Sequence, residues 1–230
     1  MERFDGVVAG GGVIGLAIAR ALGLRGMRVL LLERGTNVGL ETSARNSEVL
    51  TAMQSVQARL GVYKDQNGLI ADKLATQDTG INKVADAAQS IRQIFAEALA
   101  SGRADTLVED FQAQMNNAVE GMNARYGGKY IFAGGQVDTR PVTAQTRSDL
   151  TSGPPISNWF KNDTFKVQAK LDEATTVTTG VLADEIGTPM LTQLQTFQTF
   201  NQGGSGPFTG QLTSAQRTFL EGQLAAWDTI

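Results

Sequence analysis

The sequence predicts an α+β protein in which long antiparallel coiled-coil-like helices carry a β-rich insert, with a short β-α-β unit ahead of them. Three observations predict this class. A glycine-rich turn lies between two apolar runs near the amino terminus, a long 4-3 spacing of apolar residues follows, and period-two and Thr/Val-rich runs come later.

The composition divides the chain near residue 50. Nine of the 26 glycines lie in the first 50 residues, whereas all 18 glutamines and all seven lysines lie after them. The chain has no cysteine and no histidine, which excludes a disulfide, a thiolate zinc site and a Ser/His/Asp triad. A net charge of −3 indicates no nucleic-acid surface. We interpret the chain as two segments of different origin, joined by a genuine fusion or by a sequence-assembly artefact.

The first 50 residues predict a strand, a turn, a helix and a second strand. Residues 4–9 and 28–32 are short apolar runs of the kind that forms buried parallel strands, and residues 13–23 are helical in pattern. This order predicts a truncated Rossmann-like β-α-β unit. No run of 18 apolar residues occurs, so we expect no membrane insertion.

The turn of this unit has the spacing of a dinucleotide-binding fingerprint. Gly10 permits the tight turn, Gly12 lets a pyrophosphate approach the backbone, and Gly15 lets the helix pack closely on the strand. Glu33 follows the second strand, where a carboxylate can accept hydrogen bonds from ribose hydroxyls. A glycine-rich turn with a merely solvated Glu33 is the alternative.

The segment after the second strand, residues 39–50, resembles flavin-dependent oxidoreductases of the D-amino-acid-oxidase and 2-hydroxyglutarate-dehydrogenase type. The resemblance implies FAD as cofactor and places Thr42, Ser43 and Asn46 near its diphosphate and ribityl region. It covers residues 1 to about 50 and implies a cytoplasmic oxidoreductase fragment as the alternative function. Two strands bury little apolar surface, so we expect no cofactor in the folded product unless this segment is functional.

Residues 51–127 predict two long helices. One seam of residues at alternating gaps of three and four includes Val56, Leu60, Ile70, Ile91 and Phe95, and a second series runs from residue 107 or 108 to residue 126. The short break at residues 101–103 implies antiparallel neighbours.

Residues 123–135, Asn-Ala-Arg-Tyr-Gly-Gly-Lys-Tyr-Ile-Phe-Ala-Gly-Gly, and the Asp-Thr-Arg-Pro-Val of residues 138–142 resemble bacterial flagellins and the hook-associated protein of the hook–filament junction. The resemblance implies a structural axial component of the flagellum, located outside the cell, with other axial subunits as partners. It implies no catalytic residue and no metal, and the chain is expected not to be an enzyme on this interpretation.

The remaining residues complete three predicted regions. Residues 1–50 form the nucleotide-binding-like segment, residues 51–127 and 187–230 the helical core, and residues 128–186 a β-rich outer region. Residues 164–171 and 174–182 predict a hairpin, and residues 189–200 and 213–227 predict helices, the second with a capping box at Thr213 and Gln216. The adjacent acids Asp184 and Glu185 are expected in a solvated turn rather than as an acid/base pair.

Overall fold

The computed structural model describes residues 3–36, 38, 40–153 and 155–229, and for residues 40–46 the backbone alone. The chain divides into two compact units, Met1–Asp65 and Gln66–Ile230. Helices predominate and the sheets have two strands each, which confirms the α+β class. None of the described helices combines the length and apolarity that crossing a membrane requires. The three predicted regions stay a prediction.

The first unit contains a β-α-β element. Strand β1 (Gly6–Ala9) pairs in parallel with β2 (Val29–Leu32), and helix α1 (Val13–Leu24) connects them. Val8 is the one buried hydrophobic side chain among the described residues of this unit. A parallel sheet normally has both faces covered, whereas α1 buries none of its residues.

Two long helices pack side by side in the second unit. Helix α2 (Leu40–Ser101) begins within the segment assigned to the flavoenzyme resemblance and ends at the predicted break, and α3 (Leu107–Met122) follows. Gly80 lies against Gly121, and the Phe95 and Phe111 rings are 5.8 Å apart. Positions that increase along α2 meet positions that decrease along α3, so the helices are antiparallel. The coiled-coil geometry itself stays a prediction.

The passage after α3 differs from the prediction in detail. The second long helix was predicted to extend as far as residue 127, but α3 ends at Met122, and the glycine pair at 127–128 turns a hairpin between β3 (Arg125–Tyr126) and β4 (Lys129–Tyr130). Both glycines have positive φ, 56° and 81°, as a two-residue hairpin turn of the favoured hand requires. The Asn123 side chain accepts a hydrogen bond from the Val142 amide at 2.9 Å and donates one to its carbonyl at 3.0 Å. This clamp fixes the chain where it leaves the helix.

A short helix and a second hairpin follow. Helix α4 spans Arg147–Thr151, and β5 (Gln168–Lys170) pairs antiparallel with β6 (Thr176–Thr178). The hairpin lies within the two predicted runs but is shorter than they are. Strand β5 covers three of the eight residues at 164–171 whose period-two alternation predicted a strand, so alternation alone overestimates the strand length.

Helices α5 (Ala183–Gln202) and α6 (Ser214–Trp227) complete the core of the second unit. Five buried aromatic side chains from α2, α3, α5, α6 and the loop before α6 pack together at its centre: Phe95, Phe111, Phe197, Phe208 and Trp227. The predicted capping box of α6 is present, with the Thr213 hydroxyl accepting from the Gln216 amide at 3.2 Å. Non-local aromatic contacts therefore hold together helices that are far apart in sequence.

Candidate nucleotide-binding site

The glycine turn joins β1 to the start of α1. Gly10 has φ +103°, a left-handed conformation that favours glycine, and a Cβ there would meet no atom within 4 Å. Gly12 is the N-cap of α1 and provides no side-chain cap. The first backbone N–H groups of a helix have no acceptor within it, so they can bind an anion such as a pyrophosphate.

Gly15 lets the helix approach the turn. A Cβ on Gly15 would lie 1.8 Å from the carbonyl oxygen of Gly10 and 3.0 Å from its carbonyl carbon, which are both backbone atoms. Any side chain at residue 15 would therefore displace the turn. This close approach is the role that the fingerprint predicts for its third glycine.

Glu33 lies just beyond β2 and faces the turn. Its carboxylate accepts a hydrogen bond from the Gly35 amide at 2.8 Å and another from the Gly11 amide. These bonds, the one from Gly35 first, lower the pKa of the Glu33 carboxyl, so the group is ionised at neutral pH. Each carboxylate oxygen keeps a further lone pair for a ribose hydroxyl.

The structure thus brings Gly10, Gly12, Gly15 and Glu33 together. The flavoenzyme resemblance also assigned Thr42, Ser43 and Asn46 to the site; their backbone belongs to α2, and their side chains lie outside the described residues. Sequence reasoning did not assign a role to Gly11, whose residue type the fingerprint leaves open. A Cβ at Gly11 would lie 2.3 Å from the Val38 side chain, so glycine is favoured there as well.

The described residues fit the adenosine diphosphate part of a dinucleotide. The cradle around Gly15, the uncapped helix start and the ionised Glu33 match a pyrophosphate and a ribose. The sheet beside them consists of β1 and β2, and no other described strand joins it.

The second unit holds no comparable cluster among its described residues. Asp184 and Glu185 lie in the first turn of α5, not in the solvated turn that the sequence predicted. Asp184 accepts from the Asn162 side chain at 2.8 Å, and Glu185 pairs with Lys166 at 2.6 Å. Nowhere in the described ranges do three acidic residues come together as metal ligands.

A comparison with protein families identifies the family that the amino-terminal part of the chain matches. The family model described as FAD dependent oxidoreductase matches residues 5–152. The chain belongs to this family. The match extends past residue 50, where the resemblance was expected to stop, although the described residues from 51 to 152 add no strand to the β1–β2 sheet.

One curated relative matches a shorter stretch. The mitochondrial L-2-hydroxyglutarate dehydrogenase of Arabidopsis thaliana is 49% identical over 70 residues, which make up 30% of this chain. The matched stretch spans 13% of that relative's length.

Solved structures resemble the larger part of the chain. A flagellar hook-associated protein from Vibrio parahaemolyticus has a TM-score of 0.64 at 16% identity, covering 83% of this chain and 82% of that one. FlgL of Bacillus cereus has a TM-score of 0.52 at 15% identity, covering 78% and 82%. At these identities the likeness establishes a shared fold. Both resemblances predicted from the sequence are therefore confirmed.

Proposed function

We propose that this chain is a structural axial subunit of the bacterial flagellum, of the flagellin or hook–filament junction type. The observation that carries the proposal is the fold that four-fifths of the chain shares with hook-associated proteins. Its partners would be other flagellar axial subunits, and its location the flagellum outside the cell.

The interior of the second unit supports a structural role. Phe111, Met115, Leu194 and Phe197 are fully buried in one continuous core, and no described cluster of ionisable groups interrupts it. Arg147 is a charged residue that is partly buried beside this core, and the burial lowers the pKa of its guanidinium. That group donates to the side chains of Gln112 and Gln198 and so joins α3, α4 and α5.

Assembly onto purified hooks tests this proposal. The full chain is mixed with hook basal bodies, sedimented, and viewed by electron microscopy, with a helical protein of equal mass as the control. We expect the chain to sediment with the hooks and to extend their distal ends. A folded chain that stays in the supernatant contradicts the proposal.

A second function, binding of FAD or its adenosine diphosphate part, is supported by the turn geometry and by the family match. The backbone amides at the start of α1, residues 12–15, would hold the diphosphate, and Glu33 would hold the ribose. When bound, FAD supplies the electron transfer of an oxidoreductase. We assign no catalytic residue to this chain.

Titration of the full chain with FAD and with ADP tests this second function. Gly15→Ala introduces a methyl group 1.8 Å from backbone and should abolish binding of both ligands. Gly23→Ala in the same helix is the matched control, because its Cβ meets nothing within 4 Å. If Gly15→Ala binds as tightly as Gly23→Ala, or if the unmodified chain binds neither ligand, the nucleotide site is wrong.

A further inference from the structure

Helix α2 carries one seam of apolar positions that is covered at one end and exposed at the other. In the second unit, Ile91 and Phe95 are completely buried by the neighbouring helices. In the first unit, the same 4-3 spacing continues backwards through four side chains that are 44–65% exposed: Val49, Met53, Val56 and Leu60. We call these four residues the open seam.

The surroundings of the open seam are also apolar. Leu50 beside it is 58% exposed, and a shallow hollow on the helix is lined by Val49, Ala52, Met53, Val56, Gln57 and Leu60. Between residues 49 and 63 Arg59 is the single charged residue. Soluble proteins seldom expose contiguous apolar stripes of this kind unless a partner covers them.

We propose that the open seam pairs with the open seam of a second copy of this chain, with the two helices antiparallel. The 4-3 spacing matches the covered part of the same helix, which packs against helices, so a helix is the partner that fits it. A partner recognised by its charge would have to pair with several charged side chains of this helix, and residues 49–63 contain one charged residue, Arg59. A second copy of the chain can pair through the apolar residues of its own open seam and needs no opposite charge.

Charge placement decides the direction of the pairing. In a parallel pair, heptad geometry sets Arg59 of one copy beside Lys64 of the other, and the like charges repel. In an antiparallel pair with Met53 level with Val56, Arg59 lies level with Leu50 instead. The two Arg59 residues are then about 13 Å apart along the axis, given a rise of 1.5 Å per residue. That separation exceeds a Debye length of about 8 Å at physiological salt.

The length of the open seam sets the strength of the pair. Two heptads bury less than the ~800 Å² per partner of a standard stable interface. The dimer is therefore weak and reversible, and the fraction of chains in the dimer should rise with protein concentration. The inference is independent of the proposed flagellar function, because it concerns the isolated chain without hook components.

Disulfide trapping tests both the contact and its direction, since the chain has no cysteine of its own. Met53→Cys and Val56→Cys variants are oxidised separately and as an equimolar mixture, with Gln54→Cys as the off-seam control. We expect the mixed disulfide between the two variants to form fastest. Faster trapping of Val56→Cys with itself indicates a parallel pair and overturns the proposed direction, and trapping no faster than Gln54→Cys overturns the pairing.

Sedimentation equilibrium of the full chain provides the second measurement. We expect a concentration-dependent species of twice the 24.5 kDa chain mass. Leu60→Glu, which changes the seam in both copies, should weaken the dimer at least about 10-fold. Val62→Glu is the matched control, because Val62 is 55% exposed on the same helix but off the seam, and it should leave the dimer unchanged. A monomer at every concentration, or equal effects of the two substitutions, contradicts the pairing.

Discussion

The crossing of α2 and α3 is close enough that a single methyl group should separate the helices. A Cβ on Gly80 would lie 2.8 Å from the carbonyl oxygen of Gly121 and 2.7 Å from the Phe132 ring. A Cβ on Gly121 would lie 2.5 Å from the carbonyl oxygen of Gly80. The obstacles include backbone atoms of both helices, so relief requires the helices to move apart. Gly80→Ala and Gly121→Ala should therefore lower the free energy of unfolding.

Gly68→Ala is the control that isolates this steric effect. Residue 68 lies in the same helix, and its Cβ would meet nothing within 4 Å. Replacing an open helical glycine by alanine stabilises by about 0.5–1 kcal/mol. The same gain applies at residue 80, but overpacking costs about 1–3 kcal/mol there. Gly68→Ala should thus be more stable than the unmodified chain, and Gly80→Ala less stable than Gly68→Ala by about 1–3 kcal/mol.

Urea unfolding followed by tryptophan fluorescence measures these differences. Both tryptophans of the chain, Trp159 and Trp227, lie in the second unit, so the signal reports on the unit that contains the crossing. Thermal midpoints should differ by about 2–4 °C per kcal/mol for a unit of this size. If Gly80→Ala and Gly121→Ala stabilise the protein as much as Gly68→Ala does, the helices do not meet at these glycines and the packing argument is refuted.

Three further outcomes follow from burial and hydrogen bonding, each measured by urea unfolding. Phe111→Ala removes a fully buried ring and should cost about 3–5 kcal/mol, whereas Phe165→Ala, at a position 59% exposed, should stay within about 0.5 kcal/mol; equal losses would contradict the assigned core. Asp149→Asn should destabilise at pH 7, because hydrogen bonds from the two backbone amides at the start of its helix lower the pKa of this carboxyl. The contribution of the ionised Asp149 to the free energy of unfolding is complete above the unfolded pKa of about 3.9 and is lost as the pH falls through the lower folded pKa. A difference in the free energy of unfolding between the two proteins that persists below the folded pKa would refute this. Gln216→Leu leaves two backbone carbonyls without their side-chain donor and should cost about 1–3 kcal/mol, against a few tenths for the exposed control Gln93→Ala; similar losses would contradict the buried network.

Local sequence patterns predicted much of the fold because they encode short-range physics. The first short apolar run, the glycines and the second apolar run within residues 4–32 predicted the β-α-β order, which is observed within a few residues. The heptad spacing that includes Ile91 and Phe95 predicted a long helix, and Thr213 with Gln216 predicted where α6 begins. Each of these signals depends on neighbours a few residues apart.

Other features depended on contacts that no local pattern contains. The glycine pair at 127–128 could end a helix or turn a hairpin; α3 ends at Met122, just before the reciprocal bonds between Asn123 and Val142, and the pair turns the hairpin. The acids at 184 and 185 lie in the first turn of α5, and each bonds a partner distant in sequence, Asn162 for Asp184 and Lys166 for Glu185. In the candidate site, the bond from Gly11 to Glu33 joins residues 22 positions apart, and the fingerprint does not specify it.

The sequence by itself determined which segments become helices and strands, the glycine fingerprint of the first unit, and the absence of thiol and imidazole chemistry. The tertiary structure decided which of the apolar positions are covered. Val56 and Ile91 occupy equivalent places in one seam, yet Val56 is 44% exposed and Ile91 is buried among the aromatic core. Periodicity specifies the face that a helix offers, whereas burial depends on what other parts of the chain, or of another molecule, lie against that face.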